Sequence, residues 1–146
     1  MTGSKIFVDT APFIYALEDN AQFSVAVRKA FSDYYNNAIP LCTSLLTFTE
    51  YCVIPYRQND IRKITDFENF ISDADIFVIP FTEPIAKYAA QIRAKYIGIK
   101  AMDALQLAFA IHNGCDTFLT NDKQLRQVGE IRIVLIDELM QEKGLK

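Results

Sequence analysis

KIFVDTAPFIYALE, residues 5–18, holds the transition that decides the fold: a short apolar run ends on an acid and turns directly into a helix. Lys5 to Val8 favours extended structure, and Thr10, Ala11 and Pro12 read as the cap and first turn of a helix over Phe13 to Glu18. The result is a strand-to-helix unit with Asp9 at its joint. If Thr10 is the cap, Asp9 is free to face the end of the strand; otherwise Asp9 caps the helix itself, as aspartate at a strand exit commonly does.

The same alternation continues outward. Glu18, Asp19 and Asn20 break the pattern, and Ala21 to Asn37 then carries Phe23, Val27, Ala30, Phe31 and Tyr34 at helical spacing. Ile39 to Cys42 reads as a strand, with Thr43 or Ser44 capping a helix from Leu45 to Tyr56 that Pro55 must kink or help to end. Asp60 to Asp73 is amphipathic and Ile76 to Phe81 is strand-like. Thr82 opens a helix running to about Tyr96, and Gly98 stops it. Asp103 to His112 is strongly helical, Thr117 to Thr120 a strand, Lys123 to Gln127 a helical turn, and Ile131 to Ile136 a final β-branched strand. Short apolar strands separated by helices, with no two-residue hairpin turn, predict an α/β fold: a mainly parallel sheet with helices on both faces. In such sheets ligands bind beyond the carboxyl ends of the strands, where strand order reverses.

The chain of 146 residues, 51% of them apolar, suits one domain with its own core over 1–146. A net charge of −3 excludes broad electrostatic adhesion to nucleic acid, so any such contact must be local. Cys42, Cys52 and Cys115 form no C-x-x-C pair and sit in apolar surroundings, where free thiols behave as small hydrophobes; a reduced, cytoplasmic setting is expected. Neither a signal-peptide pattern after Met1 nor a bilayer-length apolar stretch is present, so no membrane association is expected.

Four acids sit at the end or on the apolar face of separate hydrophobic segments: Asp9, Glu50, Asp103 and Asp122. Asp9 and Asp122 each follow a strand, which puts them on one rim. On a helix Glu50 shares a face with Leu46, Val53 and Ile54, an apolar stripe, unless it snorkels from the stripe's edge. Asp103 opens its helix, where capping or the helix dipole also explains an acid, and T-N-D at Asp122 is an ordinary cap as well. Asp116, before the same strand, reads as a turn residue. Together, however, oxygen donors from several elements are what Mg²⁺ or Mn²⁺ requires, and without an ion crowded carboxylates raise one another's pKa. Such an ion activates water and stabilises charge on a phosphodiester, so metal-dependent hydrolysis of a nucleic-acid backbone is the natural reaction. Other chemistry lacks its residues: His112 is the single histidine and reads as a helix-end cation, and no G-x-S-x-G, P-loop or G-x-G-x-x-G occurs.

FVDTAPFIYALE, TSLLTFTE followed by a proline, MDALQLAFA and TNDKQL, in that order over essentially the whole chain, resemble the PIN-domain family, most closely the VapC-type toxin ribonucleases of type II toxin-antitoxin systems. The resemblance implies a three-layer α/β/α sandwich and an acidic pocket binding Mg²⁺ or Mn²⁺. By motif, Asp9, Glu50, Asp103 and Asp122 are the metal-binding and catalytic acids. Thr10 matches the hydroxyl that follows the first acid, and Thr120 or Asn121 holds water or the ligand carboxylates. It further implies an RNA substrate, a homodimer, and a cognate antitoxin whose tail enters the acidic groove. RNA also needs local cations, for which Arg57, Arg62, Lys63, Lys95, Lys100 and Lys123 are candidates, although a solvated face explains most of them. The aromatic-rich segment from Phe31 to Tyr35 suits a dimer or antitoxin surface, or core packing.

Two other readings stand beside this one. A PIN-like module would bind RNA or protein without cutting, and loss of an acid would favour it. A haloacid-dehalogenase-like phosphatase also begins with a strand-end aspartate, but needs a second acid two residues on, where this chain has Ala11.

Overall fold

The computed structural model describes residues 4–19 and 22–142. The expectations placed on Met1, Asn20 and Ala21 lie outside them. Five strands form one sheet, all pairs parallel, in the order β3-β2-β1-β4-β5. They are β1 (Ile6–Val8), β2 (Leu41–Ser44), β3 (Phe77–Ile79), β4 (Thr117–Thr120) and β5 (Arg132–Leu135). The helices are α1 (Thr10–Leu17), α2 (Ser24–Asn36), α3 (Leu45–Arg57), α4 (Ile61–Asp73), α5 (Glu83–Lys95), α6 (Ala101–His112) and α7 (Ile136–Glu142), with a 3₁₀ turn at Lys123–Gln127.

Burial on both faces explains why the strands read as continuous apolar runs. On one face Ile6, Val8, Leu41, Leu119 and Val134 meet Phe13, Phe31, Tyr51 and Phe67 from α1 to α4. On the other, Phe7, Cys42, Ile79 and Phe118 meet Ile85 and Ile92 of α5 and Leu107 and Phe109 of α6. The register aligns Phe7 with Phe118, and their rings stack at 5.2 Å. The expected α/β/α layering is what the chain adopts.

Several local expectations are corrected. Asp9, not Thr10, caps α1: its side chain accepts from the Thr10 amide, and Thr10 is the first helical residue. β2 begins two residues later than expected, because Pro40 has no N–H to donate and the ladder starts at Leu41. Thr43 is therefore in the strand, and Ser44 is the cap of α3. Pro55 lies in the last turns of that helix. Helix α7, for which no expectation was formed, follows β5 directly, and the Glu138 side chain accepts from the Leu135 amide at 2.7 Å to fix its start.

Strand order reverses at β1: β2 and β3 lie to one side of it, β4 and β5 to the other. The carboxyl ends of β1 and β4 therefore border the crevice where an open α/β sheet binds its ligand.

Candidate active site

Asp9 follows β1 at that crevice, and both of its carboxylate oxygens are engaged. Oδ1 accepts from the Thr10 amide at 2.9 Å and Oδ2 from the Thr120 hydroxyl at 2.8 Å, while its own amide donates to Leu119 O at 3.0 Å. The carboxylate is thus fixed between β1 and β4. Next to it, the Thr10 hydroxyl donates to Glu50 Oε1 at 2.6 Å, tying the start of α1 to α3. Thr120 serves a second acid, because its Oγ1 accepts from the Asp122 amide at 3.2 Å. Asp122 caps the 3₁₀ turn, accepting from the Gln124 amide at 2.9 Å. Asp103 lies in the first turn of α6, half-buried.

The stripe expected around Glu50 is not a core stripe. Val53 and Ile54 are 40% and 48% exposed, and the buried face of α3 is Thr47, Tyr51, Cys52 and Pro55. Glu50 is held beside Asp9 by a hydroxyl rather than by apolar packing.

Electrostatics join the acids. Burial pushes Asp9 up to about 6 from 3.8; the Thr120 and Thr10 hydrogen bonds work against the shift, and the charges of Glu50 and Asp103 add to it. Burial also raises Asp103, with Asp122 and Glu50 adding to the shift and Lys100 opposing it. Glu50, Asp103 and Asp122 therefore each act on at least one other acid of the set. Among the described residues, no three His, Cys, Asp or Glu side chains form a group close enough to hold a metal ion as they stand. In donor chemistry the set fits a hard divalent cation: the donors are all oxygen, the charge is in excess, and Mg²⁺ in particular is held by few carboxylates and retains waters.

Lys100, at the start of α6, and Lys123, directly after Asp122, are exposed at this rim. Arg57 is not brought to it: it lies in the last turn of α3, roughly 10 Å along the axis beyond Glu50. Asn121 donates from Nδ2 to the Tyr15 hydroxyl at 3.1 Å and so fastens the β4 end to α1. Asp116 accepts from the Thr117 hydroxyl and the Lys5 amide at the opposite end of the sheet, a turn role. His112 is exposed in the last turn of α6.

Beneath the rim lies a buried polar network that was not foreseen. Ser44 Oγ donates to Gln106 Oε1, Gln106 Nε2 donates to Thr47 Oγ1 at 2.9 Å, Thr47 shares a hydrogen bond with Thr43 at 2.7 Å, and Thr43 donates to Val8 O at 2.8 Å. It ties α6 and α3, the helices carrying Asp103 and Glu50, to the end of β1. The signal was present: Gln106 interrupts an otherwise apolar run in DALQLAFA and is 1% exposed. A groove of about 1000 Å³, lined by Lys5, Pro40, Leu41, Asp75 and Phe77, lies at the amino ends of the strands. It holds no comparable set of functional groups, and charge rather than volume marks the acidic rim as the candidate site.

Residues 6–131 match the PIN domain family model, and the chain belongs to that family. Membership sets the phosphatase reading aside. No curated protein matches the chain. Solved structures with the same fold include DNA-bound VapBC from Salmonella typhimurium, at TM-score 0.74 and 22% identity, covering 91% of this chain and 98% of that one. VapBC2 from Rickettsia felis, bound to a promoter DNA fragment, aligns at TM-score 0.74 and 15% identity over 90% of this chain and 98% of that one. VapC20 from Mycobacterium tuberculosis, described as a sarcin-ricin loop cleaving toxin, aligns at 0.62 and 15% over 77% and 86%. Two of these three neighbours are thus VapBC complexes and the third is a VapC toxin. Among the described residues, no helix is long and apolar enough to cross a membrane.

Proposed function

We propose that this chain is a metal-dependent endoribonuclease, a single catalytic domain that acts in the cytoplasm as the toxin of a toxin-antitoxin pair. The observation that carries the reading is Asp9: a half-buried carboxylate pushed up to about 6, with Glu50 and Asp103 adding to its burden, at the sheet's switch point. Such an arrangement costs stability unless positive charge arrives. Asp9, Glu50, Asp103 and Asp122 would hold the ion. A bound Mg²⁺ or Mn²⁺ supplies Lewis acidity toward a phosphoryl oxygen and a water of lowered pKa.

The chain's own groups do the positioning. Thr120 and the Thr10 amide fix both oxygens of Asp9, Thr10 sets the rotamer of Glu50, and Asn121 holds the end of β4. Lys100 and Lys123 are the rim cations suited to backbone phosphates. Family membership supports nuclease chemistry, and the neighbours solved as VapBC complexes support an antitoxin partner; a homodimer is part of the same proposal. One observation favours the second reading, a PIN-like module that binds without cutting: no three acids form a ready ligand group among the described residues.

Cleavage of a broad RNA panel with Mn²⁺, with EDTA and Asp9→Asn as controls, separates the two. Cleavage abolished by both controls is the expected result. Cleavage indifferent to both would sink the metal-carboxylate mechanism, and binding without cleavage across the panel would establish the second reading.

A further inference from the structure

Cys42 and Cys115, 73 residues apart in sequence, bring their sulfurs within 3.0 Å of each other in the core between the sheet and helices α5 and α6. That is about 1 Å beyond the length of a disulfide bond and closer than unbonded sulfurs normally pack. We infer that Cys42 and Cys115 are a site of reversible oxidative modification, closing to an intramolecular disulfide when a hydroperoxide such as hydrogen peroxide reaches the folded chain.

The surroundings suit a thiol pair of unequal roles. Cys42 lies in β2 in register with Phe7, and is 0% exposed. Cys115 is 8% exposed, in the irregular turn between α6 and β4, directly after Gly114 with its φ of 80°. The last movement of closure therefore falls on a turn rather than on a strand. Asn113 Nδ2, in the same turn, is buried without a hydrogen-bond partner, and Lys5 Nζ is held nearby by Asn113 O at 2.9 Å. The hydrogen bond with Cys115 lowers the pKa of Cys42 against the effect of burial, and the charge of Lys5 acts in the same direction. Cys115 is pushed up, first by that hydrogen bond and then by burial. Cys42 is thus the readier thiolate and Cys115 the resolving thiol.

The chemistry balances with one peroxide. The Cys42 thiolate attacks a peroxide oxygen, the O–O bond breaks, hydroxide leaves and takes up a proton, and Cys42 becomes a sulfenic acid. Cys115, surrendering its proton, attacks that sulfur; the S–O bond breaks and the departing hydroxide takes the proton. Two thiols and one peroxide become one disulfide and two waters. Cys52 is an internal control, because it is buried in the opposite core and burial raises its thiol.

The test treats the full native chain with hydrogen peroxide, then unfolds it in the presence of an alkylating agent and measures intact mass and linked peptides. The expected product has lost two hydrogens, carries one alkyl group on Cys52 and yields a peptide linking Cys42 to Cys115. Dithiothreitol reverses the change, and the oxidised chain melts roughly 5–10 °C higher. Both thiols remaining alkylatable, oxidation beyond the sulfenic acid without a link, a link through Cys52, or a link that forms only after unfolding would each overturn it. The wild-type measurement needs no variant, and Cys115→Ser serves only to show that the link is lost. None of this rests on nuclease activity.

Discussion

Asp9 holds a proton far above the usual carboxylate range, and that fixes how stability responds to pH. Unfolded, the group ionises near 3.8; folded, it does so near 6, so the folded chain binds more protons between those values and loses stability as pH rises through them. Asp9→Asn in metal-free protein is expected to stabilise the fold at pH 7 by up to about 3 kcal/mol and to do nothing at pH 3, as read by urea denaturation. Added Mn²⁺ should raise the Tm of the wild type and leave that of Asp9→Asn nearly unmoved. Thr120→Val removes a bond to Asp9 and orphans the Asp122 amide, so cleavage should fall roughly 10–100-fold while the chain stays folded. At this scale the identity of the acids was legible, because each ended or entered an apolar run. Their weights were not: Asp9 and Asp103 show the raised pKa values, through burial that only the assembled fold creates.

Helices α3 and α6 deliver two of the acids, and both are located by buried contacts rather than by their caps alone. Gln106→Leu keeps volume but breaks the links to Ser44 and Thr47; it should cost about 1–3 kcal/mol in denaturant titration. Its effect on cleavage should exceed what the lost stability explains, measured well below the unfolding transition. Phe67 of α4 packs against Phe13, Phe48 and Tyr51, joining α1, α3 and α4, and Phe67→Ala should cost about 3–5 kcal/mol. Helix periodicity placed these elements within a few residues. The shifts came from neighbours: the ladder starts only after Pro40, and Asp9 caps α1 because the Thr10 hydroxyl is drawn to Glu50. The local signal for α7 is short: Ile136 continues the β-branched run of β5, and only Asp137 and Glu138 in the first turn mark a helix start.

Across the whole molecule, the all-parallel sheet and its two cores were legible from strands that are apolar on both faces, and so was the rim on which Asp9 and Asp122 meet. The pairing of Cys42 with Cys115 was not, since nothing in either neighbourhood points to a partner 73 positions away. The central place of β1 also sets a timetable for synthesis. Asp9 is made before its partner Thr120, which follows 111 positions later, a wait of roughly 5–20 seconds at ordinary translation speeds. Until β4 has left the ribosome, β1 lacks one neighbour and the acidic rim is incomplete. Whatever the rim is to bind, it can be assembled only once the chain has been made through β4, so the site is among the later features of the fold to form.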